Sequence, residues 1–221
     1  MDKREKRSFE QMEDSSADVY EFSPSEHLLL EKWTGKRRTF MGVPHHCLDI
    51  DAKMAALKVS PSIVALVSFS GTGEHVLSQA SGTIIETEQN YNIVMTSLHL
   101  IRRAESEFAE NSLADNLKIV VRASDENSYV GKIHIYDFHY NLLIIKFKSK
   151  TPLPCAKLRM VDDDLDLGMS FQLCPHSLKF KPGNPVVVVG KYFHKDYDFM
   201  AASGFFRFDY FSFYFVTIVI E

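Results

Sequence analysis

Histidine, cysteine, serine and carboxylate side chains are the groups in this 221-residue chain able to move protons, attack carbonyls or hold cations, so their spacing is weighed first. His45-His46-Cys47 offers metal-type donors, but no fourth ligand stands at customary zinc spacing, and no metal is expected there. Asp162-Asp163-Asp164 with Asp166 lacks the glycine and terminal glutamate of a calcium loop and reads as a solvated loop. His134 and His139 flank a turn, and His194, Asp196 and Asp198 form a polar loop. Ser203 precedes Gly204, whereas Ser212 lies between two phenylalanines with no glycine to make the tight turn that exposes a nucleophile. His99 is placed differently. It follows Ser81-Gly82-Thr83-Ile84-Ile85, a polar turn, and Asn92-Ile93-Val94-Met95-Thr96-Ser97-Leu98, so it stands where the second strand of a hairpin exits into a helical turn. Taken alone, His99 is an ordinary surface or hydrogen-bonded histidine, and Asn141 a turn or strand-start residue. No cofactor is implied.

The elements that must position these groups are short and β-rich. Apolar runs at 63–69, 82–85, 92–96, 117–121, 130–136, 142–147, 169–173, 186–189 and 199–208 are separated by turn chemistry such as Gly71 to Gly73 and Glu88 to Asn90. Lys132, His134 and Tyr136 alternate with Ile133 and Ile135, the period-2 signature of a strand with one wet and one dry face. Leu142 to Ile145 and Val186 to Val189 are apolar on both faces. Such strands without long crossover helices indicate a barrel or sandwich. Ala52, Met54, Ala55, Ala56 and Leu57 favour a short helix that Ser60-Pro61 stops. A longer helical candidate covers 99–108. Residues 1–51 read as a flexible polar arm, in which 26–33 forms a helical turn or docking segment through Leu28, Leu29, Leu30 and Trp33.

The hairpin ending in Met95-Thr96-Ser97-Leu98-His99-Leu100-Ile101 resembles the histidine hairpin of the Do-like, high-temperature-requirement branch of trypsin-type serine proteases. Tyr136-Asp137-Phe138-His139-Tyr140-Asn141-Leu142-Leu143-Ile144-Ile145-Lys146 is similar to that family's Asp-Pro-x-x-Asp-Leu-Ala-Val-Leu-Lys, and Lys181 to Gly190, then Ala202-Ser203-Gly204, resemble the strands that start its second barrel. The resemblance implies that His99 occupies the general-base position and Asn141 the position of the catalytic aspartate. It also shows a departure. Nothing from Gly204 to Glu221 is similar to Gly-Asn-Ser-Gly-Gly-Pro, which carries the family's nucleophile and oxyanion hole. A serine hydroxyl needs an imidazole in the correct tautomer, enforced by a carboxylate; in a trypsin-type enzyme Asp-to-Asn exchange lowers turnover about 10⁴-fold.

The expected fold is therefore all-β: a trypsin-type double β-barrel with an incomplete second barrel and a disordered N-terminal arm. Residues 52–221 form the protease-like domain, the first barrel at about 59–150 and a partial second at about 151–221. The expected function is that of a degenerate, C-terminally truncated Do-like protease homologue, a pseudoenzyme unable to cleave peptide bonds. Two alternatives stand beside it: a fragment of an active Do-like endopeptidase, and a non-catalytic β-barrel interaction module. The aromatic segment 205–220 either replaces a missing strand or comes from reading past an exon end. A protein or peptide partner is left open, with oligomeric state undetermined. Net charge of −4, from 25 basic and 29 acidic residues, gives no global field for nucleic acid or an anionic membrane. Three dispersed cysteines, a charged N-terminus without an apolar stretch, and no run near the roughly 20 apolar residues that span a bilayer point to a soluble intracellular protein, cytoplasmic or nuclear.

Overall fold

Each β-rich run in the first half folds as one strand of a closed barrel. A computed structural model describes residues 19–35, 48–70, 75–102, 112–158, 183–193, 199–205 and 217–219. Strands β1 (Ile63–Ser70), β2 (His75–Glu88) and β3 (Tyr91–Ser97) form one antiparallel meander, and β4 (Lys118–Arg122), β5 (Ser128–Asp137) and β6 (Leu142–Lys148) a second. Pairing of β3 with β6 and of β1 with β4 closes them in the order β1-β2-β3-β6-β5-β4, leaving no edge strand. Alternating residues fill the interior. Val64, Leu66, Ile84, Val94, Val121, Tyr129, Leu143, Ile145 and Phe147 form one buried cluster, which Leu98, Leu100 and Ile101 cap. Gly82 and Gly131 face this interior, where a Cβ would meet branched side chains.

A second sheet follows, with β7 (Pro185–Lys191) between β8 (Phe199–Phe205) and β9 (Thr217–Val219). The chain is thus all-β, a closed six-stranded barrel with an incomplete second one, as the trypsin-type resemblance implied. Part of the aromatic segment does add a strand, since β9 pairs with β7 over Thr217 to Val219. The two lobes meet through polar and apolar contacts. Ser81 Oγ accepts from Lys191 N and donates to Lys191 O, both at 3.0 Å. Helix α2 (Ile50–Val59), N-capped by Asp49, lays Ala52 and Ala56 on Val187, Val189 and Ile63.

The segment read as a flexible arm is partly a docked strap. Helix α1 (Pro24–Gly35) and the extended residues before it place Tyr20, Phe22 and Leu30 on the outer face of β1, against Ala65, Val67 and Phe69 and beside Phe193 of the second lobe. This explains why β1 is buried on both faces. Residues 1–18 and 36–47, with His45-His46-Cys47, lie outside the described residues, as do the expected strand at 169–173, the aspartate run at 162–166 and the loop at 194–198. Of the helical candidate at 99–108 only 99–102 are described, and there the chain makes a single 3₁₀ turn, Leu98–Leu100, after which Arg102 bridges to Leu113. One further expectation needs correction. The alternation at 132–136 is broken by a bulge between Ile133 and Ile135, so Ile135 is 48% exposed while Tyr136 packs on the core. Among the described residues no helix is long and apolar enough to cross a membrane.

Candidate functional site

The site is built at the barrel mouth where β3 ends and β6 begins. Register pairs Ser97 with Leu142, so the residues just beyond, His99 on one side and Asn141 on the other, are brought to the same rim by strand pairing alone. Ser97 then N-caps the 3₁₀ turn, its Oγ accepting from His99 N at 3.2 Å. Burial of Leu98 and Leu100 on either side pulls the turn onto the core and leaves His99 exposed.

On the facing side, Asp137 Oδ1 accepts from His139 N at 2.8 Å and Tyr140 N at 3.0 Å, closing a turn that ends on Asn141 at φ 51°. Asparagine is one of the few residues that visits this left-handed region readily. Two bonds stitch Asn141 to the histidine segment: Leu98 N donates to its backbone carbonyl at 3.0 Å, and its Nδ2 donates to Ser97 Oγ at 3.1 Å. Its Oδ1 is shut off from water. Ser97 Oγ is therefore a hub receiving both the histidine backbone and the Asn141 amide. Sequence reading did not single it out, although a serine two residues before His99, at a strand end entering a turn, carries the capping signature.

Buttressing bonds hold the rim. Ser68 Oγ donates to Leu100 O from inside the barrel, Thr96 Oγ1 donates to Ser81 O at 2.8 Å, and Ala114 N donates to Ile101 O at 3.0 Å. Arg102 places its guanidinium 5.8 Å from the Phe138 ring. The rim thus holds an exposed His99 two residues from Ser97, whose hydroxyl fixes the Asn141 carboxamide. An amide can orient an imidazole but carries no charge to stabilise the imidazolium that forms when a base takes a proton.

Ser203 sits mid-strand in β8 opposite Val187, in extended backbone rather than a tight turn, and Ser212 lies outside the described residues. By strand alternation Ser203 shares the sheet face of Phe199 and Ala201, which pack against α2. His134 and His139 are exposed, the latter with its ring 4.7 Å from Tyr140. Among the described residues no group of three or more histidine, cysteine or acidic side chains is arranged to hold a metal ion.

No family model matches the chain. It is similar to an Arabidopsis thaliana protein whose name, protease Do-like 14, places it among Do-like proteases: identity is 27% over 140 residues, 62% of this chain. The chain spans 27% of that protein's length. The likeness supports a distant relation to the protease class.

Proposed function

We propose, from this distant relation and the rim geometry, that the chain is a Do-like protease homologue that does not cleave peptide bonds and serves as a peptide-binding or assembly module. One observation carries the reading: the residue bonded through its backbone to Leu98 N, beside His99, is Asn141 rather than a carboxylate, and its amide nitrogen is engaged by Ser97. The rim supports common ancestry with the protease hairpin, because coincidental likeness gives no reason for His99 and Asn141 to be brought together by strand register.

Unfolded casein incubated with the purified chain is expected to stay intact by mass spectrometry, with wild type and His99→Ala indistinguishable. Fragments produced by wild type and not by His99→Ala would overturn the proposal. A second reading is favoured by the length of the similar protein: the chain is a piece of a longer active endopeptidase whose nucleophile lies on further sequence. Under that reading, cleavage appears once the chain is joined to such a segment and rises further with Asn141→Asp.

A further inference from the structure

Helix α2 is packed the wrong way round for an isolated molecule. It turns only small residues inward, Ala52 and Ala56 at 4% and 2% exposure, while Ile50, Met54 and Leu57 stand outward at 69%, 64% and 66%. The spacing i, i+4, i+7 puts these three on one stripe of the helix. Three large apolar side chains exposed along one helix face mark an interaction surface.

The charges beside the stripe indicate what covers it. At about 100° per residue, Asp51 and Lys58 fall on the same flank of the stripe, one at each end of the helix, and both are exposed. Two copies of α2 packed antiparallel about a two-fold axis near Met54 set Ile50 against Leu57 and Asp51 against Lys58 of the other copy, twice over. A parallel pair would instead set Asp51 beside Lys53 of the other copy and leave Lys58 without an opposite charge. In the antiparallel pair each helix N-terminus also lies beside the partner's C-terminus, which favours the macrodipoles. Lys53 occupies the opposite flank, where its two copies face water near the axis.

We propose that α2 is a self-complementary interface through which a second copy of this chain docks, the stripe Ile50, Met54 and Leu57 forming its centre and Asp51 with Lys58 setting its antiparallel direction. The inference is independent of whether the chain cleaves peptides. One short helix per protomer buries less than the roughly 800 Å² per partner of a standard interface, so the dimer is weak, with a dissociation constant on the order of 100 µM.

Sedimentation equilibrium of the full chain from about 10 µM to about 500 µM brackets that constant and is expected to show a monomer–dimer equilibrium. Met54→Glu, which places two carboxylates across the axis, is expected to abolish it while leaving the thermal midpoint unchanged, because Met54 is exposed. Asp51→Lys and Lys58→Glu are each expected to weaken association at least fivefold, and the double exchange to restore it to within twofold of wild type. A monomer at every concentration overturns the proposal. So does a dimer indifferent to Met54→Glu, or charge exchanges whose combination fails to rescue; the latter two assign the association to another surface.

Discussion

Gly82→Ala is expected to lower the thermal midpoint by about 10 °C, from a loss of about 3 kcal/mol at the 2–4 °C per kcal/mol typical of chains this size. Gly82 sits on β2 facing the barrel interior. A Cβ there would lie 2.5 Å from Val94 Cγ1, 2.8 Å from Leu66 Cδ1 and 3.2 Å from Val64 Cγ2. None of these neighbours can step aside. All three are fully buried, and the two valines are β-branched and confined at χ1, so relief requires the strands themselves to move apart. Gly204→Ala is the matched control, because its Cβ would make only ordinary contact, 3.8 Å from Val186 Cγ2, and its midpoint is expected to stay within 2 °C of wild type. Adding Val94→Ala to Gly82→Ala should recover part of the loss, a coupling that a double-mutant cycle resolves. A midpoint for Gly82→Ala within 2 °C of wild type would mean that the barrel interior is looser than described.

Glu26→Gln is expected to destabilise the protein at neutral pH by about 2 kcal/mol and to change the shape of its acid transition. Glu26 is 5% exposed, and its carboxylate holds the strap on the barrel. It accepts from Lys118 Nζ at 2.6 Å, from Tyr20 OH at 2.8 Å, and from Ser23 N and Oγ at 2.9 and 3.0 Å. Burial pushes this carboxyl up, but the bonds from Lys118, Ser23 and Tyr20 outweigh it and bring it from 4.5 down to about 2. The sign follows from the proton count. Between these values the unfolded chain binds a proton at Glu26 that the folded chain does not, so the contribution is complete above pH 4.5 and fades as pH falls towards 2. Lys118, about one-third exposed, keeps access to water and screens the pair, which is why the effect is set below the full shift. Other carboxylates titrate in the same window, so the informative quantity is the difference between wild type and variant. That difference should be about 2 kcal/mol at pH 7 and close as pH falls to about 2. A gap unchanged at pH 2 would show that Glu26 acts through packing rather than charge.

What could be read from residues alone, and what could not, divides along physical lines. Strand existence was legible because β1 to β8 each carry an apolar run bounded by turn residues, and β-branched side chains fit the pleated surface. The closure of the barrel was not visible in any one segment, since pairing of β1 with β4 joins residues far apart in sequence. Ile135 was misplaced because a bulge shifts the side-chain period without any marker residue at 133–135. The strap was read only in part, as a helical turn or docking segment at 26–33 within a flexible arm. Its charged composition suggested solvation, whereas Glu26 is buried only because Lys118, ninety-two residues later, lies beneath it. At the rim, the meeting of the His99 and Asn141 segments follows the order that the hairpin resemblance implied, but the role of Ser97 depends on a side-chain direction that spacing does not encode.

At the barrel rim that the His99 and Asn141 segments share, the proposed function requires that no serine hydroxyl be activated. Intact-mass spectrometry after exposure to a fluorophosphonate tests it most directly, because that reagent phosphonylates a serine only where a base and an oxyanion hole have activated it. The account predicts an unmodified mass for wild type, for His99→Ala and for Asn141→Asp alike. A single covalent adduct on wild type, absent from His99→Ala, would contradict it.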